Sequence, residues 1–417
     1  MFGLPDIFTG QKSTSRGART AASRHVERNL SFAFLGFAAL CLVVPLLQTL
    51  YPVFGTIVAP LQERRAARPL PPLRLLFGTN GDFAAALNKW FDDRTGFRDL
   101  FIRAKNQIDY TLFDTSKKAW IGSDGWLFDR YAAGLDLDDA QLAILEKGFV
   151  TLAHWLGDRD IHLIVVGYPD KSALYPEMAP ARMPLLWTSS SSNYQRFRQF
   201  LASRSEFTFI DAEAIMKREK PRSAEHLYIK TDMHVTEVAQ IAVVKEIVAQ
   251  VAQAENRLDV RWDEKLKLTH VQLNSGGQTR FMALLSAPME EEPYYEGGYT
   301  IGATEPDGHW NIPDPGALER ADAGIGRPFD WEFRSLPELC ASRLPGTVLF
   351  GNSFSDLYWA VGLQRYFCFI RRAREPVSRF KLFYDTMPAG TKYFILEYYV
   401  PWLSHDVELF KQLLPAN

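Results

Sequence analysis

Cysteine is scarce in this sequence, with three residues in 417, which excludes a disulfide-stapled scaffold. Cys41 lies inside an apolar run. Cys340 and Cys368 are left as one pair, either a disulfide in an oxidising compartment or two buried thiols. No Cys and His cluster has zinc spacing, and H-E-x-x-H, Walker A and G-x-G-x-x-G are all missing. Metal and nucleotide chemistry therefore have no motif to rest on, and neither a metal nor a cofactor is expected. Excess charge is also lacking: 47 basic against 49 acidic residues give a net charge of −2, without the basic footprint that nucleic acid demands. No internal repeat is visible.

What the sequence does have is apolar and aromatic matter. Hydrophobic residues make up 47% and aromatics 13%, enough for a large core and for a groove lined by rings. Leu30 to Leu61 carries no charge, and its core Leu30 to Leu50 reaches the roughly 20 residues needed to cross a bilayer. It exceeds the apolar core of a cleavable signal peptide and sits behind a long leader, so an uncleaved anchor over 30–52 is the better reading. Lys12, Arg16, Arg19, Arg24 and Arg28 precede it and favour a cytoplasmic tail over 1–29. Arg64, Arg65, Arg68 and Arg74 follow it at a distance and make the charge asymmetry small. Residues 53–76, rich in Pro and Arg, read as a stiff spacer.

The remainder, 77–417, reads as one catalytic domain. Phe83 to Ile108, Asp138 to Trp155 and Val235 to Val251 have helical periodicity. Buried strands are expected at Ile161 to Val166, Phe207 to Ile210, Thr347 to Phe350, Tyr366 to Ile370 and Tyr393 to Leu396. Ser189 to Ser192 should cap a further helix. Residues 266–343 turn to Gly, Pro, Glu and Tyr without a clear period and read as a loop-rich insertion. Alternating strands and helices predict an α/β fold, a mostly parallel sheet with helices on both faces.

The sharpest local feature is TVLFGNSFSD (Thr347 to Asp356), where a buried strand meets Gly351 and then Ser353. Nucleophiles of open α/β sheets sit just past such strand ends, although an ordinary G-N-S turn has the same letters. A serine nucleophile needs a base, and the base an orienting acid, so D-x-H is the natural complement. It occurs three times, as Asp160 with His162, Asp232 with His234, and Asp307 with His309. His162 opens a buried strand at the end away from ligand-binding loops and reads as structural. Asp307 sits beside Gly308 and reads as a turn residue. Asp232 and His234 lie directly before an amphipathic helix that Thr236 could cap, which holds a histidine rigidly at a surface.

With these residues in view, the chain resembles the alginate O-acetyltransferase family. WFDDRTGFRDL (Trp90 to Leu100), GSDGWLF (Gly122 to Phe128), YPDKSALYPE (Tyr168 to Glu177), TDMH (Thr231 to His234) and GNSFSD (Gly351 to Asp356) carry the likeness. It implies an SGNH-hydrolase-like domain in which the D-x-H pair precedes the serine, with Ser353 as nucleophile, His234 as base and Asp232 as its partner. Asn352 and Tyr398 are candidate oxyanion or substrate-binding residues. The resemblance also implies a periplasmic domain on the bacterial inner membrane, a polysaccharide substrate, and a polytopic membrane acyltransferase that supplies the acetyl group. Departures are Val235 where the family usually has Trp, and Asn352 where it usually has Asp. Glu397 matches a late strand-end Glu, while the Arg common soon after it is not evident. An esterase with the same triad and a non-catalytic polysaccharide-binding component are the alternatives. If the triad is real, His234 Nε2 should lie within about 4 Å of Ser353 Oγ.

Overall fold

The computed structural model describes residues 21–51, 54–55, 57–58, 61, 67–77, 82–130, 136–185, 192–263, 265–273, 276–296, 298–301, 303–311, 330–374 and 385–413. Most of the expected tail, parts of the expected spacer, Ser189 to Ser191 and part of the 266–343 stretch lie outside these residues. The chain divides into two compact units, 1–104 and 105–417.

In the first unit, helix α1 (Ala21–Leu50) contains Glu27–Leu50, which by length and composition is long and apolar enough to cross a membrane. Leu30, Phe34, Phe37 and Leu42 on it stand exposed. The periodicity over Phe83 to Ile108 is divided between α2 (Asp82–Arg94) and α3 (Arg98–Phe113). The break has a physical cause. Phe97 adopts φ 62°, outside the helical region, and a Cβ on the neighbouring Gly96 would stand 2.4 Å from the Pro45 carbonyl.

The second unit takes in the end of α3 and continues with a short ribbon of β1 (Ala119–Ile121) and β2 (Leu127–Asp129). The elements that follow are α4 (Asp139–Gly157), β3 (His162–Tyr168), α5 (Lys171–Leu174), α6 (Asn193–Ser203), β4 (Thr208–Asp211), α7 (Ala212–Glu219) and α8 (Glu237–Ala254). Then come β5 (Lys267–Leu273), α9 (Gly277–Met282), β6 (Glu290–Glu296), β7 (Gly308–Asn311), β8 (Trp331–Ser335), α10 (Pro337–Cys340), β9 (Gly346–Gly351), β10 (Phe369–Arg374), β11 (Thr391–Tyr399) and α11 (Leu403–Leu413). Among the described residues, seven strands make the main sheet in the order β4-β3-β11-β9-β10-β8-β7.

The run from β4 to β10 is parallel, but β8 pairs antiparallel with both β10 and β7. The sheet is therefore mostly parallel, as expected, and becomes mixed through the two antiparallel strands added beyond β10. Both added strands come from the stretch read as loops, which also forms the β5-β6 ribbon. Their sequences conceal them: β7 is four residues starting at Gly308, and EEEPYYE in β6 is acidic and holds a Pro.

Alternation along the central strands builds two cores. Ile164, Val166 and Tyr168 of β3 join Val244, Ile247, Val248 and Val251 of α8 on one face. Leu163 and Val165 join Leu145, Phe149 and Leu152 of α4 with Phe410 of α11 on the other. Truncating Ile247, fully buried in the first, to Ala would cost about 2 to 4 kcal/mol. Cys340 and Cys368 form a disulfide, so the pair is bonded rather than two free thiols.

Candidate active site

Strand β9 is buried along its whole length and ends at Gly351. A Cβ there would stand 2.7 Å from Ser355 Oγ and 3.0 Å from Glu397 Cβ, so any larger residue would push Ser355 and Glu397 aside where the chain turns beside β11. Asn352 starts the single helical turn Ser353–Leu357 and caps it, its Oδ1 accepting from Phe354 N at 2.9 Å. Its own N–H donates to Glu397 Oε1 at 3.2 Å. Arg372 Nη2, buried on β10, donates to the Asn352 carbonyl and to Asp356 Oδ1, both at 2.5 Å. Phe354 packs between the rings of Tyr168 and Tyr399 at 4.9 and 4.6 Å. The half-buried Ser353 thus sits on a turn fixed by strand, cap, cation and rings.

The loop bearing Asp232 and His234 is closed by an isolated bridge between Tyr228 and Val235 and by Ile229 N donating to His234 O at 3.1 Å. Asp232 Oδ1 accepts from Met233 N at 2.6 Å and from His234 Nδ1 at 2.8 Å, while its Oδ2 accepts from Gly277 N. Glu290, at the start of β6, accepts from Lys230 N at 2.9 Å and Thr231 N at 2.8 Å. Thr236 does not cap α8 through its side chain; its hydroxyl donates to the His226 carbonyl at 2.8 Å.

His234 Nε2 lies 2.7 Å from Ser353 Oγ across 119 positions of sequence, inside the expected 4 Å. With Nδ1–H donating to Asp232, Nε2 is the nitrogen that can accept the serine proton. Burial pulls the His234 pKa down, but the charge and hydrogen bond of Asp232 outweigh it and raise the value above 6.5. Burial pushes Asp232 up, yet His234, the Gly277 N–H and Lys171 together hold it far below the ordinary carboxylate range. Opposite shifts on hydrogen-bonded partners are what an acid–base pair needs.

The other two D-x-H elements lie elsewhere. His162 Nε2 meets Thr208 Oγ1 at 2.8 Å. It is level in the sheet with Thr347 at the start of β9, about 20 Å short of the Ser353 end. Asp307 is tied to Arg343 and Arg365, and His309 is exposed on β7. Tyr398 does not reach the turn that bears Ser353. Alternation on β11 turns Tyr399 toward Phe354 and sends the Tyr398 ring into the opposite core against Phe149 and Phe197, at 6.2 and 6.0 Å. Its oxyanion assignment is corrected accordingly.

Lys171 and Arg374 at the site escape the sequence reading, which has Glu397 only as a match to a late strand-end acid. Lys171 Nζ, 2% exposed, donates to the carbonyls of Leu127, Ile229 and Lys230. Burial lowers its pKa to about 8, against the opposing pull of Asp232, Glu290, Asp170 and Asp129. Burial also raises Glu397 to about 8, which leaves it neutral at pH 7. Arg374, on the strand beside β9, pairs with Asp356 at 3.1 Å and acts on His234 through its charge. The only signals for Lys171 and Arg374 were the lysine inside YPDKSALYPE and the basic letters following an apolar strand.

Residues 119–294 match the model of the SGNH hydrolase-like domain of the acetyltransferase AlgX. The matched span holds Asp232 and His234, and Ser353 lies beyond it. The probable alginate O-acetylase AlgJ of Azotobacter vinelandii is 27% identical over 165 residues, 38% of this chain. The match spans 40% of the length of that relative. Among solved structures, the O-acetyltransferase domain of Pseudomonas putida AlgJ aligns at 15% identity and TM-score 0.44, over 71% of this chain and 98% of that one. Pseudomonas aeruginosa AlgX aligns at 14% identity and TM-score 0.43, over 71% of this chain and 66% of that one. Over residues 119–294, then, the chain is similar to the SGNH hydrolase-like domain of the acetyltransferase AlgX, the resemblance that its motifs pointed to.

Proposed function

We propose that the chain is a polysaccharide O-acetyltransferase working through a serine acyl-enzyme. The observation that carries this reading is the unbroken hydrogen-bond chain from Asp232 through His234 to Ser353. As Ser353 Oγ attacks the acetyl carbonyl of the donor, its proton passes to His234 Nε2, and Asp232 stabilises the imidazolium. The donor's leaving group takes that proton and departs, leaving acetyl-Ser353. A sugar hydroxyl then gives its proton to His234 and attacks the ester, and Ser353 recovers its hydrogen as the acetyl group leaves. The developing oxyanion is stabilised by the Ser353 N–H and by Asn352, whose Oδ1 is occupied by Phe354 N and whose Nδ2 is the donating end. The relative named an alginate O-acetylase supports an acetyl group and a polysaccharide acceptor.

A second reading is an esterase with the same triad. The His234 side chain is 31% exposed, so water can reach the base as a sugar hydroxyl would.

In the same proposal α1 anchors the chain in the bacterial inner membrane with 77–417 in the periplasm, a placement that the Cys340–Cys368 disulfide supports. A cytoplasmic acetyl donor cannot reach a periplasmic serine unaided, so a polytopic membrane acyltransferase is the partner. A reporter fused to the C-terminus should be active only outside the cytoplasm. Replacing Ser353 by Ala in the producing cell should remove acetyl groups from its polymer, and a sulfonyl fluoride should label Ser353 in the purified chain. Normal acetylation with Ala at that position, together with an unlabelled serine, would sink the acyl-enzyme and leave a binding role.

A further inference from the structure

Lysine is among the residues most rarely buried, and a buried ammonium must be matched by strong acceptors. Lys171 is 2% exposed, and its three protons meet three backbone carbonyls, Leu127 O at 2.8 Å, Ile229 O at 2.7 Å and Lys230 O at 3.0 Å. These carbonyls belong to two segments. Leu127 is on β2, and Ile229 and Lys230 immediately precede Thr231 and Asp232. The segments are also joined directly, Leu127 N donating to Lys230 O at 2.9 Å. Trp126 and Phe128 flank the ammonium at 5.4 and 5.7 Å.

The lysine is itself anchored in the main sheet. It opens α5, which Asp170 caps by accepting from Ser172 N at 2.9 Å, and Asp170 accepts in turn from Tyr399 OH at 3.1 Å at the end of β11. A continuous path therefore runs from the strand ends through Lys171 to the loop that bears the acid and the base.

We propose that Lys171 is the positioning residue of the Asp232–His234 loop: its ammonium holds the carbonyls of Ile229 and Lys230 so that His234 meets Ser353. The inference rests on the reading of Asp232, His234 and Ser353 as a catalytic triad. Lys171 touches neither reacting atom, and its charge also favours the ionised Asp232.

The test is hydrolysis of p-nitrophenyl acetate by the full chain in detergent, with Ser353→Ala as control. Lys171→Met keeps the length and loses the charge. Folded Lys171→Met should lose about 100-fold in kcat, as expected for a misplaced base, with KM within about twofold. Lys171→Ala should lose as much and regain about tenfold with n-propylammonium but not with n-butanol, a response that simple loss of packing would not give. A folded Lys171→Met with kcat within about threefold of wild type overturns the proposal, as does rescue by butanol. Should the variants fail to fold, the wild type decides. Its kcat should fall as pH rises through about 8, where the ammonium facing Asp232, Glu290, Asp170 and Asp129 loses its proton. A kcat level to about pH 10 overturns it. If Ser353→Ala keeps wild-type turnover, the triad falls and this inference with it. If Ser353→Ala is dead and Lys171→Met is unimpaired, only the inference falls.

Discussion

The two halves of the site are held in different ways. The turn that bears Ser353 grows out of a buried central strand, and Ser353 inherits its place from β9, with Phe354 wedged between Tyr168 and Tyr399. The loop of Asp232 and His234 belongs to no sheet and has one isolated bridge of its own. It is tied down by groups remote in sequence: the Lys171 ammonium on its carbonyls, the Glu290 carboxylate on its amides, and the Gly277 N–H on Asp232. Charge-assisted bonds of this kind contribute about 1.5 to 3 kcal/mol each. A strand end resists local change because the whole sheet supports it, whereas a tethered loop depends on each tether. Substitutions around the base should therefore lower the rate before they lower stability.

The largest effect should come where the halves meet. Ser353→Ala is expected to lower turnover of p-nitrophenyl acetate by about 10⁴-fold or more, and Asp232→Asn by about 10³- to 10⁴-fold, because the amide leaves His234 in the wrong tautomer. A loss below about tenfold for Asp232→Asn would mean that the loop's backbone alone orients the histidine. Asn352→Ala should cost about 100-fold, roughly 3 kcal/mol, if its amide serves the oxyanion. Unchanged kcat there would confine Asn352 to capping the turn.

Acidity gives the next effect, about tenfold per pH unit. The base must be neutral to accept the serine proton, and Asp232 raises His234 above 6.5, so kcat/KM should fall with acid from a midpoint above that value. Stability runs the other way for this group. Its contribution is fully present below pH 6.5 and is lost as pH rises through the folded-state value. Asp232, lowered from 3.8, contributes stability above pH 3.8 that is lost as pH falls through its folded-state value. Arg374 opposes protonation of His234 from the nucleophile side, so Arg374→Gln should move the acid midpoint upward. A downward move would show that its pairing with Asp356 matters more than its charge.

These contrasts explain what could be read from the letters. TVLFG announces a buried strand by its own composition, and the amphipathic helix after Val235 singles out one D-x-H of three, the one whose histidine the structure brings to Ser353. Lys171, Glu290 and Gly277 act on partners roughly 45 to 60 positions away, a distance that local pattern does not encode. β8 went unread although WEFRS alternates aromatic with charged residues, because it lies in a stretch whose Gly, Pro and Glu content reads as loops. Thr236 has the right letter for a cap, but the His226 carbonyl takes its hydroxyl.

Tyr398 shows the limit most clearly and gives the smallest predicted effect. In YFILEYY both faces of the strand are buried, so hydrophobic alternation cannot say which residue faces the site. Its neighbour Tyr399 stacks on Phe354, and a two-residue repeat then forces Tyr398 to the far side. There its hydroxyl lies against Gly167, where an added Cβ would come within 2.4 Å of it, and it feels the charges of Asp211, Arg198 and Glu213. Tyr398→Phe should leave kcat and KM for p-nitrophenyl acetate within about twofold and shift stability by about 1 kcal/mol or less. Tyr399→Phe, which removes the hydroxyl bonded to Asp170 at 3.1 Å, should cost more in rate because Asp170 caps the turn that carries Lys171. A tenfold loss for Tyr398→Phe beside an unimpaired Tyr399→Phe would reverse the register of function along β11 and return Tyr398 to the oxyanion.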